Sequence, residues 1–251
     1  MIKVLISGVN GRMGKAVETL CNADQDVEIV GGIDISLGVA HPFPTANDAF
    51  SLGEDADVII DFSHHTCAKA LCEYALKTGT PVVFATTGFT SEELDTIQRT
   101  AGKAALFTSA NMSVGVNLLI ELSKKAAAVL KNFDIEIVEK HHNKKLDAPS
   151  GTALMLADAL KEVRPELEYV YDRTGKRAAR DSAELGIHSV RGGTIVGEHD
   201  VIFAGNDEVV TLSHSALSRE IFAHGALCAA KFLIGKAPGL YHMSDMLALG
   251  D

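Results

Sequence analysis

The stretch from residue 139 to residue 153, EKHHNKKLDAPSGTA, concentrates side chains that can bind anions and move protons. Histidine is the usual general acid near neutral pH, and a lysine ammonium both binds anions and stabilises negative charge as it develops. The formal net charge of the chain is −10, so this cluster of cations is local. The cluster predicts a site where an anionic substrate receives a proton, with His141, His142, Lys144 and Lys145 as candidates.

A helix start follows this cluster and adds a second anion-binding feature. Pro149 disfavours helix at the residue before it, and Ser150 or Thr152 can cap the helix that follows. Gly151 and Thr152 then present backbone N–H groups at the positive end of the helix, where carboxylates bind. We therefore expect a substrate carboxylate beside Ser150, Gly151 and Thr152.

Other interpretations of the same cluster remain open. The histidine pair could bind a metal, but no third ligand stands at suitable spacing and adjacent side chains diverge, so we expect no metal. The lysines could form a solvated surface run, which is common for lysine. Asp147 could simply cap the helix.

The amino-terminal segment has the pattern of a dinucleotide-binding turn. A predicted strand at Lys3–Ser7 leads into GVNGRMG at residues 8–14, and a helix is expected from Arg12. Glycines allow a tight turn and let backbone N–H groups approach a pyrophosphate at the helix start. Asp34 ends the next strand, 20 residues after Gly14, the spacing of an acid that binds the adenosine ribose. A turn that needs glycine for shape alone is the alternative.

The residues around Asp34 favour NADH over NADPH. A carboxylate binds the ribose hydroxyl groups and repels a 2′-phosphate, and the following residues, Ile35 and Ser36, supply no arginine. Arg12 could still reach a phosphate, so NADPH remains possible. Two later segments, ATTG at 85–88 and SANM at 109–112, follow predicted strands and suit the nicotinamide ribose and carboxamide, although each could be a plain loop.

The sequence predicts two structural regions that would position these candidate sites. Up to about residue 112, short apolar runs alternate with helical periodicity, which predicts α/β structure with a parallel sheet. The predicted strands are Lys3–Ser7, Val27–Ile33, Asp57–Phe62, Pro81–Ala85 and Ala104–Thr108, and the helices are Arg12–Cys21, His64–Lys77, Ser91–Ala101 and Val114–Leu130. Thr90 and Glu93 have the spacing of a capping box.

After that helix the pattern changes to strands joined by short turns. We expect strands near 133–138, 187–191, 194–204 and 209–214, of antiparallel type, in an α+β domain. The final helix, Ile221–Leu233, is expected to return to the first domain. The predicted domains are therefore 1–112 with 219–251, and 113–218.

Composition narrows the class of protein. An apolar content of 47% excludes disorder, and the net charge argues against nucleic acid as a partner. No apolar run is long enough to span a membrane, and the first apolar run is too short for a signal peptide. The four cysteines show no CxxC spacing and are expected to be reduced, so we expect a cytoplasmic location.

The cluster at residues 141–153, HHNKKLDAPSGTA, closely resembles the signature of the 4-hydroxy-tetrahydrodipicolinate reductase family. The segments GRMG at 11–14, ATTGF at 85–89, SANMSVGVN at 109–117 and HSVRGGTIVGEH at 188–199 resemble the same family, as does the stretch with Ser218-Arg219 and Phe222-Ala223. The resemblance covers essentially the whole chain in order.

This resemblance implies roles for individual residues. His141 matches the catalytic acid/base, Lys145 a second donor, and His142 and Arg219 positions that hold the substrate. Ser150, Gly151 and Thr152 match positions near a substrate carboxylate. The cofactor-contacting positions are matched by Gly8, Val9, Asn10, Gly11, Arg12, Met13, Asp34, Phe62, Ala85, Thr86, Thr87, Ser109, Ala110, Asn111 and Met112.

It also implies a reaction and an assembly. The family reduces a cyclic dicarboxylate with NADH or NADPH in diaminopimelate and lysine biosynthesis. Its members pair a Rossmann-type domain with an α+β domain built on a mixed, open sheet, and they are typically homotetramers. Many relatives carry arginine where this chain has Ile35, which puts a strong NADPH preference in doubt. A related reductase or amine dehydrogenase with another substrate, and a non-catalytic nucleotide sensor, are the rival hypotheses.

Overall fold

The computed structural model describes residues 1–53 and 55–248 and divides the chain into two compact units. The first unit contains Met1–Val114 and the chain from Glu220 onward, and the second contains Gly115–Arg219. The functional domains expected from the sequence stay a prediction, and residues 249–251 of the expected first domain lie outside the described residues.

The strands are numbered in chain order: β1 Ile2–Ser7, β2 Val27–Ile33, β3 Thr45–Ala46, β4 Val58–Asp61, β5 Val82–Phe84, β6 Ala105–Thr108, β7 Asp134–His141, β8 Glu168–Val170, β9 Glu184–Arg191, β10 Gly197–Ala204, β11 Val209–Ala216 and β12 Gly239–Tyr241. The helices are α1 Arg12–Ala23, α2 Ala68–Thr78, α3 Ser91–Ala101, α4 Val114–Val129, α5 Gly151–Val163, α6 Glu220–Leu233 and α7 Met243–Leu247. Short 3₁₀ turns cover Phe50–Leu52 and His65–Cys67.

The first unit is built on a parallel sheet with the strand order β12-β6-β5-β4-β1-β2-β3. Helices α1 and α6 pack into the core on one face, and α2 and α3 pack into the core on the other. Burial on both faces explains why the central strands are continuous apolar runs rather than alternating ones. This architecture confirms the predicted Rossmann-type α/β fold.

Local signals account for most boundaries in this unit. The predicted capping box at α3 is present: Thr90 Oγ1 accepts from the N–H of Glu93 at 3.3 Å, and the N–H of Thr90 donates to Glu93 Oε2 at 2.7 Å. The helix predicted from His64 instead starts as a 3₁₀ turn and becomes α-helical at Ala68. Strand β12 was missed, because its three residues are ordered by pairing with β6.

The second unit is built on a mixed five-stranded sheet with the order β11-β10-β7-β9-β8. Buried and half-buried residues alternate along β7, and the buried ones face a core shared with α4 and α5. Strand β10 runs antiparallel to β7 and β11, as predicted. The prediction of antiparallel type was wrong for β9, which runs parallel to β7 because α5 and the segment after it cross over between them.

Candidate functional site

The glycine turn after β1 fits a nucleotide phosphate. Gly8 has φ +79°, and a Cβ there would lie 2.7 Å from the Phe62 carbonyl oxygen. A Cβ on Gly14 would lie 2.2 Å from the Gly8 carbonyl oxygen, so only glycine fits either position. Helix α1 begins at Arg12 and no side chain caps its start. The backbone N–H groups of its first turn therefore remain suited to an anion.

Asp34 stands directly after β2 and shapes the adjacent cavity. Its carboxylate accepts hydrogen bonds from the backbone N–H of Asn10 and of Ser36, both at 3.0 Å. The cavity measures about 260 Å³ and Asp34 shares its lining with Gly8 and Ile35. Ile35 is 92% exposed, so none of the described residues covers this position. A carboxylate, glycine backbone and a helix start are the donor and acceptor set of an adenosine ribose and pyrophosphate site.

A second cavity, of about 380 Å³, opens at the carboxyl ends of β4, β5 and β6. Nine of the predicted cofactor residues line it: Met13, Phe62, Ala85, Thr86, Thr87, Ser109, Ala110, Asn111 and Met112. The two cavities share Phe62, Ser63 and His64, which makes them neighbouring parts of one groove. Ligands in open α/β sheets bind outside these strand ends.

Three predicted cofactor residues do not line either cavity. Val9 is fully buried and packs in the core. Asn10 donates from Nδ2 to the Ser36 carbonyl and its Oδ1 contacts Nε2 of His41 at 2.9 Å, so its side chain braces the turn. Arg12 is exposed at the start of α1. Their predicted cofactor contacts stay a prediction.

The groove also contains residues that the sequence reading missed. Ser63, His64 and His65 follow β4 as the predicted segments follow β5 and β6, and this position was the available signal. Phe222 lies on α6, in a stretch that the family resemblance includes, but the sequence predicted no cofactor contact for it. Asp61, at the end of β4, is fully buried and accepts hydrogen bonds from Ser63 Oγ and Thr86 Oγ1. Burial raises the pKa of this carboxyl group.

The predicted catalytic histidine lies in the second unit, at the last residue of β7. His141 is 9% exposed, and its Nδ1 lies 2.6 Å from Glu139 Oε2. The strand predicted near 133–138 extends to His141, because β7 pairs with β9 as far as Arg191. The backbone of this residue is therefore held by a sheet rather than by a mobile connection.

Glu139 is the buried centre of this region. It is fully buried, and Arg191 donates to both carboxylate oxygens at 2.7 Å. Burial alone would raise the pKa of Glu139, but hydrogen bonds from Arg191, Ser189 and His141 outweigh it and lower the pKa to about 2. The carboxylate is therefore ionised at neutral pH.

Ser150 connects this region to the start of α5. Of the two predicted caps Ser150 is the one used: its Oγ accepts from the N–H of Ala153 at 3.2 Å and lies 3.0 Å from His199 Nε2. His199 is 4% exposed, and its ring lies edge-on to that of His141 at 5.2 Å between centroids. Burial, together with the charge of His141, lowers the pKa of His199 to about 4. His199 is therefore neutral at pH 7.

The remaining candidates lie in the loop after β7, in the first turn of α5 and just before α6. Gly151 and Thr152 form the first turn of α5, where N–H groups point out of the helix end. Lys145 is half-buried and its Nζ lies 3.0 Å from Asp147 Oδ1, so Asp147 pairs with a lysine instead of capping the helix. His142 is half-buried, Lys144 is exposed, and Arg219 is exposed in the connection from β11 to α6. Within residues 1–53 and 55–248, no cluster of three potential metal ligands exists.

Two protein-family models match successive parts of the chain. A model described as dihydrodipicolinate reductase, N-terminus, matches residues 2–112, and one described as dihydrodipicolinate reductase, C-terminus, matches residues 115–247. The chain belongs to the dihydrodipicolinate reductase family. The two matches meet near the change-over between the two compact units.

Individual relatives of this family are similar over the full length. The chain is 55% identical over 251 residues to the 4-hydroxy-tetrahydrodipicolinate reductase of Caldanaerobacter subterraneus subsp. tengcongensis, covering all of both chains. It is 47% identical to that of Clostridium tetani, covering 98% of this chain and 97% of the relative. A solved structure, dipicolinate-bound dihydrodipicolinate reductase from Paenisporosarcina sp. TG-14, has a TM-score of 0.83 at 27% identity, covering 96% of this chain and 97% of that chain.

Proposed function

We propose that the chain reduces 4-hydroxy-tetrahydrodipicolinate to tetrahydrodipicolinate. The reaction consumes one reduced nicotinamide dinucleotide and one proton and releases water and the oxidised dinucleotide. The full-length match to reductases of that name supports it, together with the relative that binds dipicolinate, a small cyclic dicarboxylate. The observation that carries it is the buried His141 beside the helix start of Ser150 and Gly151, a proton donor next to a carboxylate site.

His141 is assigned the proton transfer in this proposal. Its Nδ1 is occupied by Glu139, so Nε2 is the nitrogen that can give a proton to the substrate. Lys145 adds positive charge where negative charge develops on the ring as hydride arrives. The first-turn N–H groups of α5 receive one carboxylate, and His142 and Arg219 are further candidates for holding the substrate.

The groove of the first unit is assigned to the dinucleotide, which supplies the hydride when bound. The glycine turn and the start of α1 are suited to its pyrophosphate, and the strand ends lined by Thr86, Thr87 and Asn111 to its nicotinamide half. We favour NADH over NADPH, because Asp34 presents a carboxylate beside the exposed Ile35 where a 2′-phosphate would need a cation.

The same proposal includes a pathway, a cellular location and an oligomeric state for the enzyme. Its reaction belongs to diaminopimelate and lysine biosynthesis, and we place it in the cytoplasm as a homotetramer. No described helix is long and apolar enough to cross a membrane. All four cysteines are free, and burial raises the pKa of Cys21 to about 12, as expected of a thiol that packs rather than reacts.

The test is oxidation of NADH and of NADPH in the presence of 4-hydroxy-tetrahydrodipicolinate, generated freshly by the synthase that makes it. We expect oxidation that depends on the synthase product, with a higher kcat/KM for NADH. Binding of NADH without oxidation would support a nucleotide sensor instead, and oxidation with a different imine substrate would support a sister enzyme.

Two substitutions test the assigned roles within that assay. His141→Gln removes the proton donor and should lower kcat by about 100-fold to 10,000-fold, with little change in NADH affinity. Lys145→Ala should lower kcat and raise the KM for the substrate together, because an ammonium near the substrate acts on both. Near-normal turnover in both variants would contradict the assignment.

A further inference from the structure

The Glu139 carboxylate joins the proton donor and the helix start through four hydrogen bonds. Oε2 accepts from His141 Nδ1 at 2.6 Å and from Arg191 Nη1 at 2.7 Å. Oε1 accepts from the N–H of Ser150 at 3.1 Å and from Arg191 Nη2 at 2.7 Å. Ser189 donates a further hydrogen bond to this carboxylate, which has about four acceptor positions, so its capacity is fully used. One buried group therefore fixes His141 and the residue that caps α5 relative to each other.

The ionised state of Glu139 determines which nitrogen of His141 carries a proton. The bonds from Arg191, Ser189 and His141 overcome the effect of burial and hold the pKa of Glu139 at about 2. An ionised carboxylate only accepts hydrogen bonds, so Nδ1 of His141 must donate. The neutral imidazole consequently has its lone pair on Nε2, and a proton exchanges there.

The surroundings of Nε2 leave room for such an exchange. A Cβ at Gly197, the first residue of β10, would lie 3.0 Å from His141 Nε2, tighter than ordinary contact. Gly197 has no positive φ, so space beside Nε2 rather than backbone conformation explains the glycine. The imidazole is thus anchored at Nδ1 and uncrowded at Nε2.

We propose that Glu139 and Arg191 are a positioning pair that orients His141, fixes its tautomer and balances its charge for proton transfer. The inference rests on the proposed function, in which His141 supplies the proton. Arg191 is as important as Glu139, because an unbalanced carboxylate beside the imidazolium would hold the proton too firmly for a donor. The bidentate guanidinium cancels that charge while leaving the hydrogen bond to Nδ1 intact.

The charged groups around His141 come from several elements. Glu139 lies on its own strand and Arg191 on β9, while Lys145 and Asp147 pair with each other in the following loop. His199 on β10 is neutral at pH 7, with its pKa lowered to about 4 by burial and by His141. His214 on β11 also has a lowered pKa, because it is partly buried. Lys140 points to the other face of the sheet, where it pairs with Glu198 and Asp200.

The same strand offers a matched control for the experiment. Glu136, three residues earlier on β7, accepts from Arg180 Nε at 2.9 Å and lies 2.8 Å from His188 Nε2. It is therefore another glutamate paired with an arginine and a histidine, but away from His141. Glu136→Gln removes the same charge from the same strand, and it should leave the pH dependence of turnover unchanged.

The test compares kcat as a function of pH in the intact enzyme and four variants. Glu139→Gln should lower kcat at its optimum by about 10-fold to 100-fold, because the donor loses its fixed orientation. In this variant the alkaline limb of the kcat–pH profile should move to lower pH by about one unit. The charge of Arg191 is then unbalanced and disfavours the imidazolium form of His141. Arg191→Met should move that limb to higher pH by about one unit, and the double variant should return it close to that of the wild type.

A general loss of stability would not shift the alkaline limb in opposite directions in the two single variants. Nor would it restore the limb in the double variant. Thermal unfolding and NADH binding, measured on every variant, identify a protein that fails to fold. If Glu139→Gln does not fold, the test uses Arg191→Met. An alkaline limb of its kcat–pH profile that does not shift overturns the positioning role. An active wild type in which Glu139→Gln behaves like Glu136→Gln overturns this inference alone, whereas an inactive wild type overturns the proposed function.

Discussion

At the scale of single residues, His199 shows how burial selects a protonation state. It is 4% exposed, its Nε2 lies 3.0 Å from Ser150 Oγ, and its Nδ1 has no partner among the described residues. Burial and the charge of His141 lower its pKa from 6.5 to about 4. Protonation of the folded protein is therefore disfavoured in a pH range where the unfolded chain accepts the proton freely.

This difference predicts a pH-dependent stability. Between pH 6.5 and 4 the unfolded state binds a proton at residue 199 that the folded state does not, so the free energy of unfolding falls as the pH falls through this range. The contribution amounts to about 3 kcal/mol at pH 4. His199→Gln should remove it and flatten the pH dependence measured by denaturant unfolding.

His188→Gln serves as the control, because the side chain of His188 is 43% exposed. This variant should keep the wild-type dependence of the unfolding free energy on pH. An identical slope in His199→Gln and in the wild type would contradict the assignment. The contribution of Glu139 falls in a different window: it is present above pH 4.5 and is lost as the pH falls toward 2, so the two effects are separable.

At the scale of elements, the start of α3 is tied to the segment that follows β4. Glu93 completes the capping box with Thr90, and both of its oxygens lie 2.9 Å from His65 Nδ1. The hydrogen bonds from Thr90 and His65 lower the pKa of Glu93, so it is ionised at neutral pH. His65 lines the cavity of about 380 Å³, as do Thr86 and Thr87 in the segment that leads to this helix. The Glu93 side chain thus links the segment after β4 to the segment after β5, and both segments line the groove.

Glu93→Ala should therefore weaken both the helix and the groove. Loss of the hydrogen bond from the Thr90 N–H to the Glu93 carboxylate should cost about 1 kcal/mol of unfolding free energy, measured by urea denaturation. Release of His65 should lower NADH affinity by about fivefold, measured by fluorescence titration. Glu92→Ala removes an exposed acid from the same helical turn and should change neither strongly. Equal effects of the two substitutions would show that charge near the helix start, not the link to His65, is responsible.

At the scale of the whole molecule, β11 leaves the five-stranded sheet with an exposed edge. It is eight residues long and lies at the end of the sheet order. Val209 is 63% exposed, and Leu217, directly after the strand, is 90% exposed. A long edge strand presents unpaired backbone groups to another chain, and exposed apolar surface marks interaction sites. This surface supports the proposed homotetramer.

Sedimentation velocity should accordingly give a mass about four times that of one chain. Val209→Lys introduces a charge at this edge and should shift the distribution toward smaller species. Val129→Lys is the matched control, because Val129 is 79% exposed at the end of α4 and lies outside the sheet. A monomeric wild type, or equal dissociation in both variants, would refute an interface at β11.

Local patterns in the sequence determined much of this protein. The glycine turn, the β-α alternation of the first unit and the capping box at Thr90 each depend on residues close together in the chain, so periodicity and spacing predict them. The types of residue in the cluster at 141–153 predicted an acid next to a carboxylate site. These inferences required no knowledge of distant contacts.

The tertiary structure decided the features that depend on distant partners. Glu139 begins the cluster at 139–153, but its role follows only from its pairing with Arg191, 52 positions later. His199 acquires its lowered pKa only when it is buried beside His141, and β9 takes a parallel direction only because α5 crosses over before it. Burial and charge pairing are set by neighbours in space, which spacing along the chain does not specify, and for this reason only the fold shows which groups control the proton.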